Sequence, residues 1–510
     1  MQVELGAEVS ESQETDPLIE EIETFLNDAA RLARRQQLRA EDIASLRLQM
    51  GSTFVWRLDF AEVFRRKSGF DIAIANPPYV RQEAITEIKP QLRLTFPRTY
   101  SGVADIYVYF YDRALSVLRA SGVLCFISSN KYFKARYGNR LRRLLTTEAT
   151  LSTIVDFADL PVFDATTYPA VVIARHQAPG EDAGVRTLTM ESLANLDELT
   201  SIISEHGVNV PIRLLSHDGW VLEDPALHSL LEKVRANGGP LGDFVAGQLF
   251  RGIVTGYNNA FLVDARTREN LIREDESSAE IIKPFVRGRS VKRWRVDAGD
   301  LWLIFTRRGI EIDDYPAVKR HLSAFRQRLE PGQAGGRKPG EYAWYEIQDV
   351  IDYHEAFESP KIIFPHNATS PNYAFDTTGL LCNDKAYIVP TRERWLVGIL
   401  NSIVSEFEMS LMSPPLRGGY YEHRVIYVSR LTIPRVDERT KVRLDELVSA
   451  GEADRLNQDE LDELVVGAFG LTPGDMELMR IHLRKQERKD LKALRGVLAT
   501  RGGPAIDSEE

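Results

Sequence analysis

The chain has 510 residues, 43% of them apolar and 27% charged, with only two cysteines, Cys125 and Cys382. That length predicts about three domains, and the cysteine count excludes a disulfide framework and a Cys-based zinc ribbon. The formal charge of −10 sits in residues 1–30, which hold nine of the 74 acidic residues and no base; the rest sets 65 acids against 64 bases, so local patches decide what the surface attracts.

The acidic start MQVELGAEVSESQETD lacks a basic n-region, and no apolar run reaches about 18 residues. Neither a secretory signal nor a helical membrane span is expected, and the expected compartment is the cytoplasm. Residues 15–50 predict a helix, with Leu18, Ile22, Phe25 and Leu26 at helical spacing. STFVWRLDFAEVF (52–64) alternates like a short strand and then turns. GFDIAIANPPYV (69–80) reads as a buried strand closed by a Pro-Pro loop.

DIYVYFYDRALSVLRA (105–120) predicts an amphipathic helix stopped at Gly122, and GVLCFISSN (122–130) a second buried strand. KYFKARYGNRLRRLLTTE reads as a further helix, and TIVDFADLPVF (153–163) and PAVVIARH (169–176) as two strands. Strands alternating with helices predict an α/β sheet.

After residue 178 the strands become short and Gly, Pro and aromatic residues frequent. The expected division is an acidic helical segment (1–52), an α/β domain (53–178), a connecting region (179–240), a β-rich domain (241–436) and a charged helical segment (437–510). The loop 329–344, basic at Arg337 and Lys338, is expected to be mobile. Two runs, 131–143 and 281–295, each carry six basic residues and no acid, which suits phosphate contact as well as a solvated surface.

The sharpest motif is Asn76-Pro77-Pro78-Tyr79, directly after the apolar strand FDIAIA. Alone it is a Pro-rich turn. Chemically it suits an exocyclic purine amine, a poor nucleophile whose lone pair is delocalised into the ring. The Asn76 carboxamide oxygen and the Pro77 carbonyl can accept both N–H groups and aim the lone pair at a methyl donor. Prolines hold these acceptors rigidly. Tyr79 offers a flat face to a base that has left its stack, an interaction worth about 1–3 kcal/mol.

FDIAIANPPYVRQE resembles the catalytic motif of N6-adenine DNA methyltransferases. More widely, residues 53–435 resemble the methylase-and-specificity half of type IIG restriction–modification enzymes. The resemblance implies a partial Rossmann-like methyltransferase sheet that uses S-adenosylmethionine (SAM), followed by a TaqI-like target recognition domain. It assigns Asp59 to the adenine of SAM with Phe60 beside the ring. It also assigns Phe163 as a second aromatic against the flipped base, where the residues alone favour a core position. In the second half Arg287, Arg289, Lys292 and Arg293 become candidates for phosphate or guanine contacts on double-stranded DNA.

The family's Gly-rich donor turn should precede Asn76, yet only Gly6 precedes Gly51. The glycines of DFVAGQLFRGIVTG (243–256) are too far apart for a permuted order. A sheet lacking its first strands exposes an apolar edge. The expectation is therefore a partner chain that completes the sheet and carries the Gly-rich motif. No convincing nuclease pattern of an Asp followed by Glu-x-Lys is found, and no histidines pair as HxH or HxxxH, so no metal is expected here and a nuclease, if there is one, belongs on another chain. The expected activity is site-specific adenine-N6 methylation in a restriction–modification or phage-defence system. One alternative is an inactive DNA-binding specificity subunit; another keeps the chemistry but acts on RNA bases or glutamine side chains.

Overall fold

The computed structural model describes residues 54–501 apart from 159, 164–166 and 417–418. The predicted helix at 15–50 and the C-terminal tail lie outside the described residues. The chain divides into two units: one running to Leu222 without 159–161, the other comprising 159–161 and the chain from Glu223.

The first unit is built on a six-stranded sheet. Its strands are β1 (Phe70–Ala75), β2 (Leu118–Ser129), β3 (Thr150–Asp156), β4 (Pro169–Arg175), β5 (Gly184–Thr189) and β6 (Val208–Pro211), in the order β1-β2-β4-β3-β5-β6. β1 pairs parallel to β2, β4 runs antiparallel to both β2 and β3, and β3 is parallel to β5. Four strands thus run one way and end at one edge. Period-2 burial drives the sheet: Leu124, Phe126 and Ser128 of β2 are buried while the residues between them are not. Helices α1 (Tyr107–Val117) and α2 (Asn139–Thr147) bury Tyr107, Tyr111, Leu115, Leu141 and Leu145 in the same core.

Several local expectations need correction. Residues 56–67 are not a strand but two short helices, Trp56–Asp59 and Ala61–Lys67. Gly122 does not stop α1, which ends at Val117. It lies inside β2, where a Cβ would sit 2.9 Å from the Phe70 carbonyl oxygen. The expected helix from Lys131 begins as two single turns, Asn130–Phe133 and Arg136–Gly138, because Gly138 must approach the Tyr132 carbonyl more closely than any Cβ allows. The connecting region is divided: β5 and β6 extend the first sheet, and the chain from Glu223 belongs to the second unit.

Among the described residues β1 is an edge strand. Its Ile72 and Ile74 are 64% and 77% exposed, which leaves a bare apolar face.

The second unit has short strands, as expected. One four-stranded sheet joins Ala374–Asp376, Lys361–Pro365, Ala386–Pro390 and Phe250–Arg251, and another joins Leu381–Cys382, Ile282–Val286, Trp302–Ile304 and Leu262–Val263. Helices α3 (Ile403–Met412), α4 (Glu438–Glu452), α5 (Gln458–Ala468) and α6 (Pro473–Arg501) follow.

Buried polar groups tie this unit together. Arg337, expected on a mobile loop, is only 4% exposed. Its guanidinium donates to the carbonyls of Leu329 (2.9 Å), Thr255 (2.9 Å), Glu346 (2.7 Å) and Trp344 (2.9 Å). Burial pushes its pKa down to about 10. The loop is thus drawn in around a cation whose donors are satisfied by main-chain oxygens. Lys361, fully buried, pairs with Asp376 and also donates to the Phe357 carbonyl at 2.6 Å. Removing one partner of such a pair strands the other charge.

Lys361→Met alone is expected to destabilise the protein by about 3–5 kcal/mol in urea unfolding. Adding Asp376→Leu should recover most of that loss, since the orphaned carboxylate goes with it. A single variant as stable as the parent contradicts this reading.

Candidate active site

Asn76 follows the last residue of β1, at the edge where the parallel strands end. In open α/β sheets this is where ligands bind. Asn76 is exposed, Pro77 buried, Pro78 exposed and Tyr79 half-buried. The segment beyond is fastened to the start of α1: the Ile106 N–H donates to the Val80 carbonyl and the Gln82 N–H to Asp105 Oδ1, both at 3.1 Å.

The loop between β3 and β4 rises at the same edge, since Ser129 of β2 pairs with Pro169 and Asp156 of β3 with Ala170. It carries Phe163. That ring is not in the core; it is half-buried, with its centroid 5.9 Å from that of Tyr79 and the planes at 58°. Two residues 84 positions apart in sequence are thus neighbours, one of them three positions after Asn76. The Tyr79 hydroxyl is shielded from solvent and has no hydrogen-bond partner among the described residues, and burial pushes its pKa up to about 12.

Asp59 and Phe60 are not brought to this place. Asp59 Oδ2 accepts the Val55 N–H at 2.7 Å, closing its own short helix. Phe60 is 5.2 Å from the ring of Phe70 and stacks on Trp56 at 5.7 Å. Phe70 begins β1 and Asn76 follows its end, a separation of about 20 Å along an extended strand. As placed, Asp59 and Phe60 do not form a donor site beside Asn76.

Among the second unit's basic candidates, Arg289 and Lys292 are exposed and Arg287 is half-buried. Arg293 departs from expectation. Its guanidinium turns inward to the Asn401 carbonyl and lines a cleft of about 270 Å³ with Glu406, Asp462 and Arg480. Desolvation lowers its pKa and also lifts Glu406 to about 7. The run's backbone is held by a 2.9 Å bond from the Gly288 N–H to Asn383 Oδ1 and a 3.1 Å bond from the Trp294 N–H to the Tyr373 carbonyl. The other basic run hides a similar anchor: Arg142 is fully buried, donating to the carbonyls of Tyr132, Ala135 and His217. Charge counting could not tell these anchors from surface bases. Among the described residues, no three His, Cys, Asp or Glu side chains are grouped to hold a metal, and no helix is long and apolar enough to cross a membrane.

An Asn-Pro-Pro-Tyr loop thus stands at the carboxyl edge of parallel strands, faced by a second aromatic. Residues 11–163 match the Eco57I restriction-modification methylase and residues 283–433 the TaqI-like C-terminal specificity domain. The first match begins at residue 11, inside the segment that the sequence sets apart as an acidic extension.

The chain is 27% identical over 390 residues to the type II methyltransferase M.PaeR7I of Pseudomonas aeruginosa, covering 72% of this chain and 65% of that protein. It is 23% identical over 451 residues to M.BstVI of Geobacillus stearothermophilus, covering 84% and 77%. Its fold is similar to that of MmeI, a type IIL restriction–modification enzyme solved in complex with DNA. The TM-score is 0.57 at 14% identity, over 86% of this chain and 59% of that one. The chain thus spans only part of the length of these proteins.

Tyr79→Phe removes a shielded hydroxyl that has no partner among the described residues. It is expected to leave unfolding stability unchanged or raise it by about 1 kcal/mol. A loss of stability in thermal or urea unfolding contradicts the absence of a partner.

Proposed function

We propose that this chain takes part in site-specific methylation of adenine N6 in double-stranded DNA, with SAM as the methyl donor, within a restriction–modification or related defence system. The observation that carries the reading is the Tyr79–Phe163 ring pair beside Asn76 and Pro77 at the strand ends. An extruded adenine that contacts both rings presents its amine to the Asn76 carboxamide oxygen and the Pro77 carbonyl. Those two acceptors draw the nitrogen toward tetrahedral geometry, while the aromatic walls keep water from it. The TaqI-like second unit supports duplex DNA over RNA or a protein side chain as the substrate. Arg289 and Lys292 are its exposed candidates for phosphate contact, with Arg287 beside them.

The donor pocket needs more polypeptide than the described residues supply. Among the described residues β1 is an edge strand with Ile72 and Ile74 bare, suited to a segment that extends the sheet and brings the Gly-rich turn beside Asn76. A partner chain is the proposed source, and a nuclease can reside on the same partner. A second reading, an inactive DNA-binding specificity subunit, is favoured by one observation: Asp59 and Phe60 lie far from Asn76.

The test is transfer of labelled methyl groups from SAM to genomic DNA lacking adenine methylation, by the chain alone and with its partner. Asn76→Ala is expected to lose about 100-fold or more in rate, a positioning loss, and to keep specific DNA binding. Wild-type activity in that variant overturns the proposed chemistry, and no transfer by any assembly supports the inactive subunit.

Replacing Arg289 and Lys292 together by Ala should weaken duplex binding and lower the slope of log affinity against log salt by about 1–2. An unchanged slope removes these two residues from the interface.

A further inference from the structure

The loop that carries Phe163 leaves β3 through a backbone turn that L residues rarely adopt: Ala158 has φ 49°. Asp156, the last residue of β3, holds that turn. Its Oδ1 accepts the Ala158 N–H at 2.9 Å, and the same oxygen accepts the side-chain N–H of Asn130 at 2.8 Å. Asn130 begins the turn after β2, and its own backbone N–H donates to the carbonyl of Tyr168 at 2.7 Å, at the far root of the same loop. The Lys131 ammonium lies 5.8 Å from the centre of the Tyr168 ring. Both roots of the loop are therefore tied to the carboxyl end of β2, the strand paired with the one that presents Asn76.

We propose that Asp156 and Asn130 are positioning residues that fix Phe163 opposite Tyr79 and so set the gap into which the target base is drawn. This rests on the proposed role of the ring pair. Neither side chain needs to touch the substrate. Asp156 supplies one oxygen to two donors, which couples the left-handed turn at Ala158 to the end of β2. Without it the turn loses its internal acceptor, and Phe163 loses its fixed distance from Tyr79. The consequence falls on the step that holds the extruded base rather than on contacts between protein and duplex.

The experiment uses the full chain in the assembly that methylates, on a duplex of the sequence it methylates, with 2-aminopurine in place of the target adenine. This probe brightens when extruded and is quenched when stacked on an aromatic ring. Phe163→Ala is the control for the underlying reading and should raise the fluorescence of the bound probe. Asp156→Ala should raise it as well and, on the unmodified duplex, lower kcat by about 10- to 100-fold while KM for the duplex changes little. Asp156→Asn retains the accepting oxygen and should restore both signals. So should the transposed pair Asn130→Asp with Asp156→Asn, which rebuilds the bridge with the charge on the other side.

If Asp156→Ala does not fold, Asn130→Ala removes only the side-chain bridge and is expected to give the same changes in weaker form. Wild-type fluorescence and kcat in the folded Asp156 or Asn130 variant, with Phe163→Ala altered, overturns the positioning role. An unaltered Phe163→Ala overturns the stacking reading instead.

Discussion

The parallel pairing of β1 with β2 is the constraint on which the rest of the first unit depends. It places the residue after β1, Asn76, and the residue after β2, Asn130, at one edge of the sheet. Because β4 returns antiparallel to both β2 and β3, the β3–β4 loop must open at that same edge and carry Phe163 there. An antiparallel β1 would have sent Asn76 to the opposite side. The two proline-held acceptors and the two rings are therefore a consequence of strand direction.

The second unit shows how a domain of short strands is held. Strands of two to five residues offer few ladder bonds, so buried charged side chains reach across the gaps between them. Arg337 draws in the 329–344 loop, Lys361 and Asp376 join two neighbouring strands, and Arg293 ties the basic run to Asn401. Arg337 satisfies several main-chain oxygens and Lys361 a counter-charge, which is the condition under which burying a charge is tolerated, while Arg293 is half-buried and donates to a single carbonyl. Of the bases in the 281–295 run, Arg289 and Lys292 stay exposed at the surface.

Much of this was legible in the residues. The strand before Asn-Pro-Pro-Tyr, the helix from Tyr107 and β4 follow from periodicity alone, and so does the switch to short strands after the first sheet. Yet β1 is not buried as expected, and the expected strand 153–163 stops at Asp156, leaving Phe163 on a loop. The Tyr79–Phe163 pairing came from resemblance, because a lone aromatic in an apolar stretch reads as core. What escaped was set by tertiary contact. Residues 56–59 alternate like a strand but fold as a helix whose carboxylate closes its own turn. Gly122 reads as a helix stop but is needed where β2 crosses the Phe70 backbone. Arg142, Arg293 and Arg337 carry no mark in sequence that separates a buried anchor from a surface base. Asp156 and Asn130 lie 26 positions apart, with nothing local to join them.

The most direct measurement is a cryo-EM or crystal structure of the active assembly on its target duplex with a non-transferring donor analogue. The account predicts an adenine turned out of the helix and held against Tyr79 and Phe163, its amine within hydrogen-bond distance of Asn76 Oδ1 and the Pro77 carbonyl. A target base still stacked in the duplex, or seated where Asn76 cannot reach it, would contradict that account.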